Sequence, residues 1–278
     1  MIESVDHKNR TFTCKIGNQL ISFYLTNRLA KIFLEHLSED VLVDFEITGK
    51  RRTVNNKKVF HVAYFNLIKN YKNDIVIYDH SKLKRDMVNF LDSNKHYLFL
   101  DLEMTMAYFR QKRFVPEIVQ YGYLLVNDRG ETVIKGSNYV ETTLQKRINK
   151  RTISFLKLDI NKYHESKISF KEFYNELDNV IKKYSPKIVV WGKNDIQALD
   201  HGYKIHNLKP VTNQYDFVDL LKLHKDYFNL HNDLGLFKAY ETYYKEEINQ
   251  VHDAKDDAVV TKKVFDAFIK YSKTDSKI

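Results

Sequence analysis

Two carboxylates stand two residues apart at the end of an apolar run, in the sequence Asp101-Leu102-Glu103. Alternate residues of a β-strand face the same side, so both carboxylates would project together from the strand that residues 97–100 predict. Two anions held in this way need a positive partner, and Mg²⁺ and Mn²⁺ prefer hard oxygen ligands. The pair therefore indicates a divalent-metal site, and the alternative is a solvated strand end.

Two further acidic positions follow later in the chain. Asp195 comes just after residues 187–191, which predict a buried strand, and strand ends are where α/β sheets commonly place ligands. His252 precedes Asp257 by five residues at the start of an amphipathic helix predicted over 254–271. The alternative interpretations are that Asp195 caps a helix and that the acids near Asp257 are a favourable helix N-terminus.

In their order along the chain, these side chains resemble the motifs of the DEDDh family of 3′→5′ exonucleases, which contains RNase T and the proofreading subunit of bacterial DNA polymerase. That family carries Asp-x-Glu on its first strand, an Asp in a second motif and His-x-x-x-x-Asp in a third. The matching residues here are Asp101, Glu103, Asp195, His252 and Asp257. A related subtype has Tyr four residues before the last Asp; that position is Asp253 here, so the His form is indicated.

Details around the first motif narrow the resemblance to the Eri-type and KapD-type exonucleases. Residues 99–105 followed by 115–122 look like the pairing of Asp-Phe-Glu-Ala-Thr with Pro-x-Glu-Ile-Ile-Glu in that branch, and Trp191-Gly192 before Asp195 resembles its second motif. The sequence departs at Met104, where a small residue is frequent, and at Gln120, where an acid is frequent. Neither departure removes a ligand.

The resemblance implies an α/β fold with an RNase H-like mixed β-sheet flanked by helices, and a phosphodiester hydrolase. Two divalent ions, Mg²⁺ or Mn²⁺, would be held by Asp101, Glu103, Asp195 and Asp257. His252 would act as the general base. The substrate would be the 3′ end of RNA or single-stranded DNA, and the products 5′-mononucleotides. Thr105 is a candidate contact to the terminal nucleotide, or simply a β-prone residue at a strand end.

The elements that position these residues fall into two predicted domains. Residues 96–272 alternate strands and helices, as a mixed sheet covered by helices requires, and they form the predicted exonuclease domain, followed by a tail at 273–278. Residues 1–78 are β-rich and favour a smaller domain built as an OB-like barrel. A helix predicted over 79–95 connects the two. The resemblance leaves the first domain unassigned.

A basic loop, residues 49–57, joins two strands predicted in the first domain over 41–48 and 58–67. Its cations Lys50, Arg51 and Arg52 are candidate contacts to phosphates, although a solvated hairpin would show the same pattern. The first domain is therefore predicted to bind nucleic acid or, as an alternative, to dock onto a protein partner.

Composition and charge limit the class of protein. The net charge of +9 favours polyanionic partners, although a chain rich in Lys, Asn, Ile and Tyr also fits AT-rich coding. The single cysteine, Cys14, excludes an intramolecular disulfide and predicts a cytoplasmic location. No stretch approaches the roughly 20 apolar residues of a membrane span. The runner-up function is a non-catalytic nucleic-acid-binding protein, which would be marked by loss of a metal ligand.

Overall fold

The computed structural model divides the chain into two compact units, Met1–Met87 and Val88–Ile278. The structure describes residues 1–109, 111, 113–247 and 252–275. Each unit contains its own β-sheet and its own hydrophobic core. Within the described residues, no helix is both long enough and apolar enough to cross a membrane.

The first unit is a six-stranded sheet. Its strands are β1 (Ile2–Asp6), β2 (Thr11–Ile16), β3 (Gln19–Tyr24), β4 (Val41–Val54), β5 (Lys57–Asn70) and β6 (Val76–Asp79). The strands lie in the order β1-β2-β3-β5-β4, and β6 pairs with β5. Helix α1 (Asn27–Phe33), whose first turn is capped by the Thr26 side chain, follows β3 and packs its apolar residues on the sheet.

A cluster of aromatic rings forms the core of the first unit. Phe12, Phe23, Phe45 and Phe65 have ring centroids from 4.7 to 6.1 Å apart. The sheet around them has an open strand order with β1 and β4 at its edges, so the predicted OB-like barrel is not confirmed. Closure requires strands distant in sequence to pair with a defined stagger, which alternation within single strands does not specify.

The predicted basic loop, residues 49–57, is mostly strand, so that prediction was wrong. Strand β4 continues to Val54 and β5 begins at Lys57. Asn55 and Asn56 form the turn, with φ values of 48° and 62°, as a two-residue type I′ turn requires. Asparagine adopts this left-handed conformation more readily than most residues. The strand ends were missed because a polar, solvated hairpin lacks the apolar alternation by which strands are recognised.

Helix α2 (His80–Asp92) lies within the predicted connecting segment, residues 79–95. The division between the two units falls inside this helix, after Met87. At the other end of the chain, the last helix continues to Asp275, into the segment predicted as a tail. Residues 276–278 of that segment lie outside the described residues.

The second unit contains a five-stranded mixed sheet in the order β11-β10-β7-β8-β9. Its strands are β7 (His96–Met104), β8 (Ile118–Asn127), β9 (Thr132–Tyr139), β10 (Lys187–Val190) and β11 (Phe217–Asp219). β7, β8 and β9 are antiparallel neighbours, whereas β10 is parallel to both β7 and β11. The predicted mixed α/β fold is confirmed.

Helices cover this sheet. They are α3 (Lys150–Leu156), α4 (Ile160–Ser166), α5 (Phe170–Tyr184), α6 (Asn194–Ile205), α7 (Leu220–Tyr227), α8 (Leu236–Tyr244) and α9 (Ala254–Asp275). A capping box between Ser169 and Glu172 begins α5. Such a box satisfies the otherwise unpaired N–H groups of the first turn.

Strand β7 alternates between two helical layers. Its residues 98, 100 and 102 are leucines in the core that α5 covers. Tyr97 and Phe99 instead contact Phe265 of α9, with ring centroids 4.9 and 5.2 Å apart. Because this alternation continues along the strand, Asp101 and Glu103 lie on the α9 side of the sheet.

Strand β8 passes directly beneath the first turn of α9. Gly122 pairs with Asp101 across the β7–β8 ladder. A Cβ added to Gly122 would lie 2.3 Å from the carbonyl carbon of Ala254, far inside van der Waals contact. Glycine is therefore needed here for close approach of two backbones, and it brings the start of α9 next to the acidic strand.

Candidate metal centre

Asp195 is joined to the acidic strand by a hydrogen bond. The backbone N–H of Leu102, between Asp101 and Glu103, donates to Asp195 Oδ1 at 2.9 Å. Asp195 is 5% exposed and lies in the first turn of α6, which follows β10. It is not the helix cap, because Lys193 occupies that position. The hydrogen bond holds the third carboxylate beside the first two.

The N-terminus of α9 carries the remaining predicted residues. Asp253 is its cap: Oδ1 accepts from the backbone N–H groups of Lys255 and Asp256 at 3.1 and 3.3 Å. Its Oδ2 accepts from Gln120 Nε2 on β8 at 2.8 Å, which ties the cap to the sheet. Asp257, one turn into the helix, is 7% exposed. The cap and the sheet together fix where Asp257 points.

Glu103, His252 and Asp257 form a group that could hold a metal ion. One ligand atom of each lies within 4.8 Å of the others, and His252 Nδ1 is 3.9 Å from Glu103 Oε1. All four predicted carboxylates line one open cleft of about 380 Å³, which we call the acidic cleft. The structure thus brings together the five residues that the motif order singled out.

Burial raises the pKa of every carboxylate in the acidic cleft, and repulsion from neighbouring acids raises each pKa further. Burial is the largest cause for each of them. The pKa of Glu103 rises to about 8, with the charges of Asp257 and Asp195 as further causes. The pKa of Asp101 rises well above its usual range, as the charges of all three other acids add to burial. The pKa values of Asp195 and Asp257 rise to about 7.

The donor set of the cleft fits a cation of the magnesium type. In the parts of the chain that the structure describes, no lysine or arginine forms an ion pair with any of the four carboxylates. The carboxylate oxygens are the ligands that Mg²⁺ and Mn²⁺ prefer. Cys14 lies in the first unit, so the set contains no thiolate of a structural zinc site. A bound cation would neutralise the charge that raises the carboxylate pKa values.

His252 is packed against an aromatic ring. The rings of Phe155 and His252 have centroids 4.4 Å apart and planes inclined by 31°. The His252 side chain is 25% exposed, and its φ of 31° is one that histidine adopts more often than most residues. Burial and then the charge of Lys157 lower the pKa of His252. Both causes favour the neutral imidazole, which is the form that can accept a proton.

Phe155 belongs to α3, which is anchored to the chain just beyond β7. The N–H of Met106 donates to Thr152 Oγ1 at 2.9 Å, and Asn149 Nδ2 donates to the Met106 carbonyl at 2.6 Å. The sequence pattern does not indicate α3 or Phe155, because a helix of seven residues is too short to show a helical period. Asn149, which caps α3, is the signal that could have located it.

Thr105 lines the acidic cleft but is only 3% exposed. Its hydroxyl oxygen accepts from the N–H of Glu117 at 3.0 Å and from Gln145 Nε2 at 2.6 Å. The Glu117 carboxylate in turn accepts from the backbone N–H groups of Thr143, Leu144 and Gln145. Thr105 and Glu117 thus hold one wall of the cleft. A contact between Thr105 and a nucleotide stays a prediction.

The three predicted phosphate contacts, Lys50, Arg51 and Arg52, lie on β4 of the first unit, and all are exposed. The Arg51 guanidinium lies 4.7 Å from the centroid of the Phe60 ring, and that of Arg52 lies 4.8 Å from the Tyr24 centroid. Since neighbouring residues of a strand point to opposite sides, the two arginines do not form one continuous patch.

No protein-family model matches the sequence of the chain. It is similar to the probable 3′-5′ exonuclease KapD of Bacillus subtilis, with 29% identity over 170 residues. The matched region covers 60% of this chain and 82% of KapD.

Several solved structures share the fold of the chain. The nuclease domain of 3′hExo, a DEDDh family member bound to rAMP, has a TM-score of 0.56 at 15% identity and covers 64% of this chain and 94% of its own. Cell-death related nuclease 4 has a TM-score of 0.56 at 16% identity and covers 64% of each chain. E. coli Exonuclease I with a dT13 oligonucleotide has a TM-score of 0.52 at 13% identity, and the match covers 65% of this chain and 42% of Exonuclease I. The sequence of the chain is thus similar to that of a 3′-5′ exonuclease, and its second unit shares the fold of a DEDDh family nuclease domain.

Proposed function

We propose that the chain hydrolyses RNA or single-stranded DNA from the 3′ end to 5′-mononucleotides, and that it requires divalent metal ions. The observation that carries this proposal is the acidic cleft. Four carboxylates with raised pKa values line it, and a histidine of lowered pKa stands beside them. The likeness to KapD supports the exonuclease activity.

In this proposal Asp101, Glu103, Asp195 and Asp257 would hold two divalent ions, Mg²⁺ or Mn²⁺. Bound ions would supply the positive charge that neutralises a phosphodiester and makes a water more acidic. The charges of the three other acids all raise the pKa of Asp101, so Asp101 lies among them and would be one of the residues that hold the ions. The hydrogen bond from the Leu102 N–H positions the Asp195 carboxylate beside the other proposed ligands.

His252 is proposed as the general base that accepts the proton of the attacking water. Burial lowers its pKa and so favours the neutral imidazole, and a base must be unprotonated to act. It stands 3.9 Å from Glu103, beside the proposed ligands. A base of this kind typically contributes about 10² to 10⁴ in rate.

The substrate is proposed to be a single strand of either sugar type. Next to the carboxylates, the cleft has apolar walls from Met106, Phe155, Trp191 and Phe237, and aromatic walls accept any base. Thr105, at the same edge, is proposed to face the terminal nucleotide. The 3′hExo structure contains rAMP and the Exonuclease I structure contains a dT oligonucleotide, so a cleft on this fold accommodates either.

Digestion of 5′-labelled RNA and single-stranded DNA with Mg²⁺ or Mn²⁺ tests the proposal. We expect a descending ladder ending in 5′-mononucleotides, no cleavage in EDTA, and protection of strands whose 3′ end is blocked. Full activity in EDTA would contradict the metal requirement. Cleavage of a circular strand would indicate an endonuclease instead.

The alternative is a nucleic-acid-binding protein without catalysis. Its expected mark is a missing ligand, but all four carboxylates line one cleft and His252 lies beside two of them, Glu103 and Asp257. Binding without any product in the digestion assay, under every metal condition, would favour this alternative.

A further inference from the structure

Two guanidinium groups lie against one tyrosine ring in the first unit. The Arg52 guanidinium carbon is 4.8 Å from the Tyr24 ring centroid and that of Arg10 is 5.3 Å from it. Arg52 Nη1 also donates a hydrogen bond of 2.8 Å to the Tyr24 hydroxyl. Both cations are thus fixed against the same ring and are neighbours.

The strand register places a histidine in the same group. Tyr24 of β3 is paired with His61 of β5, and their ring centroids are 4.9 Å apart. Paired residues face the same side of a sheet. Arg52 and Lys50 both act on His61: burial is the main cause that lowers the pKa of His61, and their two charges lower it further.

We call these five residues, Arg10, Tyr24, Lys50, Arg52 and His61, the Tyr24 face. Arg51 lies on the other side of β4, paired with Phe60, which packs on the aromatic core. Lys58, paired with Thr53, is on the side of Arg51 by the same alternation. One hairpin therefore carries cations on two distinct faces.

In the part of the chain that the structure describes, none of Arg10, Lys50 and Arg52 forms an ion pair with a carboxylate. Other lysines of the same unit do: Lys69 lies 2.6 Å from Asp74, and Lys72 lies 2.8 Å from Asp40. The positive charge of the face is left for a partner outside the chain.

The geometry indicates the chemistry of that partner. An arginine has five N–H donors in a planar fork that matches phosphate oxygens, and Arg52 uses one of them on Tyr24. Holding the guanidinium groups against a ring lowers the entropy lost when they bind. The ring itself is 6% exposed and covered by cations, so a base has no surface there on which to stack.

We propose that the Tyr24 face binds the phosphate backbone of a nucleic-acid strand without reading its bases. The choice of a nucleic acid rests on the proposed function, because a 3′→5′ exonuclease must hold a polyanionic strand. The first unit would then bind the strand through a surface that is distinct from the acidic cleft. Arg52 would contact phosphates and Arg51, on the other side of β4, would not, although the sequence pattern places both in one charge run.

A matched pair of double variants of the full chain tests the face. Lys50→Gln with Arg52→Gln removes one lysine and one arginine from the Tyr24 face. Arg51→Gln with Lys58→Gln removes the same charges from the other side of the same hairpin. Binding of fluorescent oligo-dT and oligo-U is measured in EDTA at several salt concentrations, so that cleavage does not interfere.

Each phosphate contact on a single strand contributes about 0.7 to the slope of log affinity against log salt. The Tyr24-face double variant should lose about 1.4 from that slope and bind about 25-fold more weakly at 0.1 M salt. The control double variant should keep the slope and affinity of the wild type. Arg52→Lys, which keeps the charge and loses the fork, should fall between the two. Melting temperatures verify that each variant is folded.

Equal weakening by both double variants would overturn the proposal, because general charge would then explain binding. Unchanged binding by the Tyr24-face variant would also overturn it and would favour a protein as the partner of this unit. Because the assay contains EDTA, it does not depend on catalysis. If the wild type cleaves no substrate but the Lys50→Gln, Arg52→Gln double variant still binds more weakly than the control, the proposed function is refuted and the proposal for the Tyr24 face stands.

Discussion

The acidic cleft and the Tyr24 face each concentrate charge of one sign, but at opposite degrees of burial. Asp195 and Asp257 are 5% and 7% exposed, and the pKa of each is raised to about 7. Lys50 and Arg52 are exposed to water. The contrast indicates that neighbouring groups of like charge stay ionised at a surface. Buried carboxylates instead tend to bind protons unless a cation is bound beside them.

The physical reason is that a carboxylate can lose its charge by binding a proton, whereas an arginine keeps its charge. Moving a carboxylate out of water costs several kcal/mol, and binding a proton relieves that cost. An arginine in a protein does not release its proton, so the Tyr24 face stays cationic and depends on water and salt to screen it. We therefore expect the cleft to respond to pH and metal ions, and the Tyr24 face to respond to salt.

Removing one negative charge from the acidic cleft should have the largest effect. Asp101→Asn keeps the shape of the side chain but removes the carboxylate placed among the other three. Turnover should fall more than about 10⁴-fold, which corresponds to a loss of about 5 kcal/mol of transition-state stabilisation. Metal titration should show weaker binding of the ion. Asp200→Asn, an exposed acid on α6, is the control. Normal single-turnover cleavage by Asp101→Asn would show that the cleft is not the active site.

Removing the neutral histidine should slow turnover and leave metal affinity nearly unchanged. His252→Ala retains all four carboxylates and removes the proton acceptor, so cleavage should fall about 10² to 10⁴-fold. The exposed His36 of the first unit supplies the control substitution, His36→Ala. If His252→Ala loses metal binding as Asp101→Asn does, then His252 is a metal ligand and not the base.

The metal-free protein should lose stability as the pH rises from about 5 to above 8. The carboxylates of the cleft have higher pKa values in the folded than in the unfolded chain. The folded state therefore binds protons more tightly, and stability present near pH 4 is lost as the pH rises through 7 and 8. A loss of about 1 kcal/mol or more corresponds to a few degrees in melting temperature.

Melting temperatures in EDTA at pH 6 and 8.5, with and without added Mn²⁺, measure this loss. Mn²⁺ should raise the melting temperature more at the higher pH, where the carboxylates are ionised. Asp101→Asn should show a flatter pH dependence, because it removes a repelling charge. The same pH dependence in both proteins would mean that the cleft carboxylates do not cause it.

The smallest effect is expected at the aromatic contact of the base. Phe155→Leu keeps an apolar side chain but loses the ring that packs on His252. Turnover should fall about tenfold through misplacement of the imidazole, with metal affinity unchanged. Phe90→Leu is matched in exposure, 42% against 46% for Phe155. Equal activity of both variants would show that Phe155 does not position His252.

Sequence reasoning predicted the parts of the site that depend on local periodicity. Asp101 and Glu103 share one side of β7 because of their spacing, and Asp257 lies in the first turns of a long helix as its surroundings indicate. The bond from Leu102 N to Asp195 joins residues 93 positions apart. No local pattern reports such a contact, and only the resemblance to a family brought these residues into one site.

The first unit shows where local patterns fail. Lys50, Arg51 and Arg52 form one charge run in the sequence, but the strand register divides them between two faces. The sequence pattern predicts strands shorter than β4 and β5, and it predicts a closed barrel where the strand order is open. Strand length and barrel closure both depend on which strands pair, and a local pattern does not specify that pairing. A turn rule applied to Asn55-Asn56 would have recovered the hairpin.

Gly122 has no functional group, yet it controls how closely the two acidic elements of the candidate metal centre approach each other. With only 2.3 Å between the position of a Cβ there and the Ala254 backbone, even a methyl group would lift the helix that carries Asp257 away from the strand that carries Asp101. Metal coordination tolerates shifts of only about 0.2 Å. A random screen for inactive variants should therefore return this glycine together with the acids. The missing Cβ of Gly122 therefore determines how far apart Asp101 and Asp257 lie.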